Sequence, residues 1–103
     1  ARQFKPLPSF PSVRRDVAMI VPETTTHDDV LAAVKQANAA SIESAELFDV
    51  FRGKHVPAGH KSMAYAFTYR SSDRTLTDAE VNSAHERVVD CLKQKLRATV
   101  REA

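Results

Sequence analysis

The sequence predicts an α+β fold in which a four-stranded antiparallel sheet carries two helices on one of its faces. Two segments alternate between large apolar and small or polar side chains, as β-strands do, and a long loop separates them. Two other segments place apolar residues at helical spacing, and each begins at a threonine that can cap a helix. With one strand at each end, the order is strand, helix, strand, strand, helix, strand.

The first strand is predicted over residues 13–21, VRRDVAMIV, because β-branched and apolar residues dominate it until Pro22 ends it. The segment before it, ARQFKPLPSFPS, is too rich in proline for a helix or a central strand. We therefore expect an extended arm over residues 1–12 and a folded domain over residues 13–103. The chain begins at Ala1 without a methionine, which is typical of a processed chain or an excised domain.

Both helices have start signals in the sequence. Thr26 can cap the first helix, which the apolar spacing extends to about Asn38. Thr77 and Glu80 form a complete capping box, S/T-x-x-E, at the start of the second helix. Its apolar face continues to about Lys95.

The second and third strands are predicted over residues 42–51 and 61–70. The loop between them, RGKHVPAGH, contains both glycines of the chain and is too long for a two-residue turn. A short last strand is predicted over residues 98–101. Two successive strand–helix–strand halves of this kind make a ferredoxin-like βαββαβ sandwich. Since both helices cover the same face, function is expected on the open face of the sheet.

Alternation along the strands assigns side chains to the two faces. Toward the helices it places Met63, Tyr65, Phe67 and Tyr69, with Phe48 and Val50 from the second strand and Val17, Met19 and Val21 from the first. Toward the open face it places Ser62, Ala64 and Ala66, with Leu47, Asp49 and Phe51, and with Asp16, Ala18 and Ile20. In the last strand Thr99 and Arg101 are the candidates for the open face.

The open face of the predicted sheet carries groups that suit an RNA base. The ring of Phe51 can stack on a base, the carboxylate of Asp49 can accept from a guanine edge, and Ser62 and Arg101 add a hydroxyl and a guanidinium. Small residues such as Ala18 let a flat base approach. Two other interpretations remain open: a solvated face, or a surface that another protein domain covers.

Four segments, in this order, resemble the ferredoxin-fold anticodon-binding domain that closes the β subunit of bacterial phenylalanyl-tRNA synthetase. They are PSVRRDVA at 11–18, FDVF at 48–51, PAGHKSMAYAFTYR at 57–70 and DRTLTDAEV at 73–81. The resemblance implies a noncatalytic, cytoplasmic domain that binds the anticodon stem-loop of tRNA-Phe, with the remaining domains of the β subunit and the α subunit as partners. It implies no cofactor here, since ATP and Mg serve the whole synthetase.

Carried over residue by residue, the resemblance assigns anticodon contacts to Ala18, Asp49, Phe51, Ser62 and Arg101. The family often has a tyrosine at the position of Phe51, so stacking is kept while a hydroxyl is lost. The glycine usual before the last strand is replaced within LRATVR, which allows a one-residue shift in the register of Arg101.

The charge balance limits how phosphate groups are bound. Fifteen Lys and Arg stand against thirteen Asp and Glu, a net charge of +2, which is too small for indiscriminate phosphate binding. The alternative role for the arginines is an ion-pair network that holds loop to helix. Arg14 and Arg15 precede Asp16, and Arg70, Asp73 and Arg74 cluster before the capping box. The candidates for phosphate contacts are Arg14, Arg15, Arg52, Lys54, Lys61 and Arg74.

Other chemistry has weak support. His55 and His60 flank the hairpin loop, but a zinc site needs three or four ligands, and a Ser62–His60 nucleophile has no third group to orient it. Cys91, the one cysteine, lies on an apolar helix face and is expected to pack. No apolar run approaches the ~20 residues of a membrane span. A protein-interaction or structural domain is the main alternative function, and a small ferredoxin-like enzyme is the weakest.

Overall fold

The computed structural model describes residues 10–102, and its six elements follow the predicted order. Each boundary lies within two residues of its sequence-based prediction. Most of the predicted arm, residues 1–9, falls outside the described residues, so the division at residue 12 stays a prediction. The elements are β1 Val13–Pro22, α1 His27–Gln36, β2 Ile42–Phe51, β3 His60–Tyr69, α2 Asp78–Leu96 and β4 Thr99–Glu102.

The four strands form one sheet in the order β2-β3-β1-β4, and every neighbouring pair is antiparallel. Strand β1 is central: it pairs with β3 from Val13 to Pro22 and with β4 from Val17 to Ile20. Helices α1 and α2 pack against one face, which confirms the predicted ferredoxin-like fold. Within residues 10–102, neither helix is both long and apolar enough to cross a membrane.

The core lies between the helices and the sheet, and the inward side chains of β3 form a large part of it. Tyr65, Phe67 and Tyr69 have no exposed surface and Met63 has 2%, as alternation predicted. Burying a side chain of this size contributes about 1.5–3 kcal/mol to folding. Their neighbours from the other elements include Val17, Met19, Val21, Val30, Val81, Val88 and Leu92.

The two buried tyrosines need hydrogen-bond partners, and each finds a histidine on a helix. The Tyr65 hydroxyl lies 2.7 Å from Nδ1 of His27 on α1, and the Tyr69 hydroxyl lies 2.7 Å from Nδ1 of His85 on α2. Burial raises the pKa of Tyr65 to about 12 and raises that of Tyr69 as well. Both hydroxyls are therefore neutral hydrogen-bonding groups that tie the sheet to the helices.

Both helices begin with a capping box. At α2, the predicted box is confirmed: Thr77 Oγ1 accepts from the Glu80 amide at 3.2 Å, and Glu80 accepts from the Thr77 amide at 3.0 Å. At α1, Asp29 takes the role that Glu80 has in α2, so the Thr26 cap is also reciprocal. A cap of this kind contributes about 1 kcal/mol.

Strand β2 departs from the predicted alternation. Leu47 pairs with Tyr65 and packs against the core, whereas Phe48 is 50% exposed, so both were assigned to the wrong face. The reason is a β-bulge: the next pair along the ladder is Asp49 with Ala64, which leaves Phe48 as an extra residue. Beyond the bulge the prediction holds again. Val50 pairs with Met63, although it stays 37% exposed, and the partner of Phe51 on the open face is Ser62.

Helix α2 ends at a residue with a left-handed backbone. Arg97 has φ 55° and ψ 36°, a conformation that glycine adopts readily and other residues adopt at a cost of roughly 1–2 kcal/mol. It lies within LRATVR, the segment in which the glycine usual before the last strand is replaced. Arg97 turns the chain from α2 into β4 with the strain that such a glycine avoids.

We predict that Arg97→Gly raises the free energy of unfolding by about 0.5–1 kcal/mol, because it removes the left-handed strain at the helix end. Urea unfolding measures the change. Lys95→Gly, in the helical last turn of α2, is the matched control and should lower stability by about 1 kcal/mol. Equal destabilisation by both substitutions would contradict the assignment of strain to Arg97.

Candidate nucleic-acid interface

The side chains on the open face form rows that cross the sheet, because paired residues in neighbouring strands point to the same side. Two adjacent rows contain all five residues to which anticodon contacts were assigned. From β2 to β4, the first row is Phe51, Ser62, Ile20 and Thr99, and the second is Asp49, Ala64, Ala18 and Arg101.

Arg101 lies on the open face. It pairs with Ala18, whose side chain also points away from the helices, so the replaced glycine has not shifted β4 by one residue. Val17 and Met19, the neighbours of Ala18 in β1, are buried toward the helices, so Ala18 itself points to the open face. The geometry thus brings Arg101 into the same row as Asp49.

The individual side chains differ in how far they reach into solvent. Phe51 is 50% exposed at the end of β2, whereas Ser62 is 8% exposed and lies in the floor beside it. Asp49 is exposed, and its Oδ1 accepts from the amide of Val50 at 2.9 Å. This bond orients the carboxylate and leaves Oδ2 directed to solvent as an acceptor. The ring of Phe51, the carboxylate of Asp49 and the exposed guanidinium of Arg101 are therefore accessible to a ligand.

A concavity of about 700 Å³ lies over the first row and is walled by the loop between β2 and β3. Its floor combines four of the five predicted residues with two neighbours on the sheet. The loop adds side chains that are mainly basic, so the concavity is open to an anionic, partly planar ligand. The lining residues are Ala18, Ile20, Phe51, Ser62, Thr99 and Arg101 from the sheet, and Arg52, Lys54, His55 and Val56 from the loop.

The loop is held in place by bonds to the end of β1. The Arg52 guanidinium lies 2.6 Å from the Glu23 carboxylate, and the hydrogen bond from Arg52 keeps the pKa of Glu23 below its usual range. The Glu23 amide donates to the Gly59 carbonyl at 2.9 Å. Gly53, at φ 109°, makes a turn that side chains rarely adopt. These contacts set Lys54 and His55 at the rim of the concavity.

Strand β4 is short, and a histidine secures it from the helix side. His85 is 6% exposed, and its Nε2 donates to the two Glu102 carboxylate oxygens at 3.0 and 3.1 Å. Nδ1 of the same ring lies 2.7 Å from the Tyr69 hydroxyl, so His85 joins β3 to β4. Arg101 precedes Glu102 and points to the opposite face. The bond between α2 and Glu102 therefore helps to place Arg101 beside Ala18.

Matches to known proteins agree with this geometry. Residues 8–101 match the family described as the ferredoxin-fold anticodon binding domain. The chain belongs to this family. This match confirms the family that the four sequence segments resemble.

The phenylalanine--tRNA ligase beta subunit of Moorella thermoacetica is 45% identical over 100 residues, which cover 97% of this chain and 12% of that protein. The corresponding subunit of Latilactobacillus sakei is 48% identical over 97 residues, covering 94% of this chain and again 12% of the relative. This anticodon binding domain therefore spans about an eighth of the length of these relatives.

Among solved structures, a hydantoinase/carbamoylase family amidase from Burkholderia ambifaria is similar with a TM-score of 0.54 and 10% identity. The similarity covers 89% of this chain and 27% of the amidase. At this level of identity it shows a shared fold alone.

The six basic residues proposed for phosphate contacts do not form one patch in this anticodon binding domain. Arg14 lies on the open face and is paired with Asp16 at 2.6 Å. The ion-pair alternative predicted this partner, but the pair lies within β1 and does not join a loop to a helix. Arg52 and Lys54 line the concavity. Arg15, in contrast, points to the helix layer and donates to Asn82 Oδ1 at 2.6 Å.

Lys61 and Arg74 also lie away from the open face. Lys61 pairs with the buried Val21, on the helix side of the sheet, and Arg74 binds Glu80 at the start of α2. A second concavity of about 840 Å³ lies near Arg74 and Arg70. We consider this larger hollow the weaker candidate, because carboxylates already neutralise both arginines.

The predicted ion-pair cluster before α2 is confirmed only in part. Arg70 pairs with Glu43 at 3.3 Å, without hydrogen-bond geometry at its Nε, and Arg74 joins the capping box through Glu80. Asp73 was wrongly placed in this cluster. Its amide donates to Ser71 Oγ, which makes a local turn at the loop instead of an ion pair.

The histidine and cysteine chemistry finds no assembled site in residues 10–102. No group of three His, Cys, Asp or Glu side chains there is placed to hold a metal ion. His60 Nδ1 donates to the Ala58 carbonyl at 3.0 Å and so stabilises the loop. Cys91 packs against the core, as predicted.

Besides the position of Phe48, two features around the interface were not foreseen from the sequence. His55 was weighed only as a metal ligand, yet it lines the concavity with Val56. The signal was the position of the loop, since a hairpin that connects two site-bearing strands ends beside their site. For His85 the sequence offered no signal, because its partner Glu102 lies seventeen residues later in the chain, in β4.

We predict that Glu102→Ala loosens β4, because it removes the acceptor of a buried histidine at a cost of roughly 1–3 kcal/mol. Amide hydrogen exchange should become about tenfold faster in β4 and stay unchanged in β3. Glu102→Gln keeps an acceptor oxygen and should restore much of the protection. Glu86→Ala, which removes an exposed carboxylate of α2, is the control for charge. Unchanged exchange in β4 would refute the role given to His85.

Proposed function

We propose that this chain is a noncatalytic RNA-binding domain that recognises the anticodon stem-loop of tRNA-Phe as part of a phenylalanyl-tRNA synthetase β subunit. One observation carries the proposal: the five residues assigned to anticodon contacts occupy two adjacent rows of one open sheet face. The family and the named relatives support the same function. The sheet face supplies the chemistry, and the helices supply the rigid support behind it.

In this proposal Phe51 stacks on an unpaired base. Its ring is half exposed at the mouth of the concavity, with the buried Ser62 beside it. Stacking of a base on an aromatic ring contributes about 1–3 kcal/mol and tolerates any base. Phe51 therefore supplies affinity, and discrimination among bases comes from polar neighbours.

Asp49 and Arg101 stand at opposite ends of the second row and have complementary chemistry. Asp49 accepts hydrogen bonds from an amino-bearing edge such as that of guanine, and Arg101 donates to base or phosphate oxygens. Three strand spacings separate them, about 14 Å. Ala64 and Ala18 fill this distance with small side chains, so bases can lie flat between the two charged groups.

The positive charge on the open face comes from a few residues at the concavity. Lys54 and Arg101 line the concavity together with Arg52, whose charge Glu23 balances, while the chain as a whole has a net charge of +2. Phosphate contacts usually dominate nucleic-acid affinity, so we expect the isolated chain to bind its stem-loop weakly and with strong dependence on salt. The rest of the β subunit and the α subunit would supply further contacts. ATP and Mg would act elsewhere in the synthetase, in the cytoplasm.

We predict that Phe51→Ala lowers the affinity for a stem-loop bearing the phenylalanine anticodon by about 1–3 kcal/mol, or roughly 5- to 150-fold. Fluorescence anisotropy at low salt measures the dissociation constant. Leu31→Ala, which removes a comparably exposed apolar side chain from α1, should leave binding unchanged. Phe51→Tyr keeps the ring and should bind at least as tightly as the wild type.

The competing interpretation is that the open face docks on another protein domain, since Phe48 and Phe51 expose apolar surface there. Under that interpretation, Phe51→Ala leaves RNA affinity as it was while the fold is intact by circular dichroism. That result would remove Phe51 from an RNA site.

We predict that Asp49→Asn reduces discrimination among stem-loops in which each anticodon base is replaced in turn, by about 1–3 kcal/mol at one position. The amide can still accept from the Val50 amide, so the local geometry is kept, while the carboxylate acceptor is lost. Dissociation constants for the set of stem-loops provide the test. If the variant ranks them as the wild type does, Asp49 does not read a base.

A further inference from the structure

Phe48 is a large aromatic side chain on the open face that is not among the residues assigned to anticodon contacts. It is 50% exposed although it lies within a strand, beside Asp49. Leu47 faces the core and Asp49 faces the open side, and the β-bulge between them leaves Phe48 unpaired and outside the core. Burial of this ring in the core would have stabilised the fold. The bulge forgoes that contribution, and bulges commonly re-aim a side chain beside a functional site.

An arginine from a distant strand meets this ring. The guanidinium carbon of Arg14 lies 5.5 Å from the centre of the Phe48 ring, within the range of a cation–π contact. Strand β3 separates the two strands and contributes only the small side chains of Ala64 and Ala66 at this level, so the guanidinium can cross it. Asp16 binds the same guanidinium at 2.6 Å and restricts its position. The ring and the cation are thus ordered before any ligand arrives.

We propose that Phe48 and Arg14 form a second stacking site, which takes an unpaired nucleotide other than the one on Phe51. This inference rests on the proposed function and extends it to a second nucleotide. Aromatic rings and guanidinium planes are the two surfaces on which proteins stack unpaired RNA bases. Phe48 and Phe51 are three residues apart, about 10 Å along the strand. One base therefore does not cover both rings, and the bound RNA loop runs along β2.

The polar groups around Phe48 favour a base over an apolar protein surface. Three acidic residues lie near Phe48 on the open face: Asp49 follows it, Glu46 precedes it by two residues, and Asp16 binds Arg14. Base edges carry amino and imino donors that carboxylates can bind. An apolar protein patch would bury these acceptors without partners, which is costly. The occupant that fits is a planar group with hydrogen-bond donors at its edge.

The test uses the full chain and a stem-loop bearing the phenylalanine anticodon. We expect Phe48→Ala to weaken binding about tenfold. Phe48→Leu keeps apolar bulk without a ring, and should weaken binding nearly as much. Val50→Ala, an exposed apolar residue of the same strand with Met63 as its partner, is the matched control and should stay within twofold of the wild type. Circular dichroism and urea unfolding verify that each variant is folded.

Stem-loops with a single abasic position in the loop identify the nucleotide on each ring. The loss caused by Phe48→Ala should vanish with one abasic stem-loop, and the loss caused by Phe51→Ala with a different one. The losses in the double variant should multiply to within about twofold, as expected for separate sites. If Phe48→Ala binds like the wild type while Phe51→Ala is weakened, the second site is refuted and the proposed function stands. If neither substitution weakens binding, both the second stacking site and the proposed function are refuted.

Discussion

The interface depends on the register between β1 and β3. Ten residues of each strand pair without interruption, so Ala18 faces Ala64 on the open side while the neighbouring pairs, Val17 with Tyr65 and Met19 with Met63, are buried. Because side chains alternate with a period of two, a slip by one residue would expose the core and bury the alanine floor. The hydrophobic pattern of β3 excludes that slip. The same packing that stabilises the domain therefore determines which groups a ligand can meet.

Two local features, one in β2 and one in β4, shape the interface on either side of the β1–β3 ladder. In β2 the bulge at Phe48 adds an aromatic ring to the open face and keeps Asp49 and Phe51 in register with β3. At the other edge, β4 pairs along only four residues, and the hydrogen bond between His85 and Glu102 supplements this short ladder. The β2 edge of the open face thus depends on one bulge, and the β4 edge depends on one side-chain hydrogen bond. The centre depends on the long ladder between β1 and β3.

The sequence predicted the elements and the open-face positions of the five assigned residues well, because these follow from alternation, capping and helical spacing. It misplaced Leu47 and Phe48, since LFDVF is equally apolar in either register and the bulge that decides between them is a property of the pairing. The hydrogen bond between His85 and Glu102 could not be predicted for a related reason, because it joins α2 to β4 and depends on how the helix packs on the sheet. Placing the arginines of both faces likewise required the three-dimensional partners, Asp16 for Arg14 and Asn82 for Arg15.

The most direct test of the central claim is a map of amide chemical shifts in the labelled chain as the phenylalanine anticodon stem-loop is added at low salt. We expect the shifts to concentrate on the two rows of the open face, from Phe51 and Asp49 in β2 to Arg101 in β4, and on the loop at Lys54. Shifts confined to the helix layer, or to the concavity near Arg74, would contradict it.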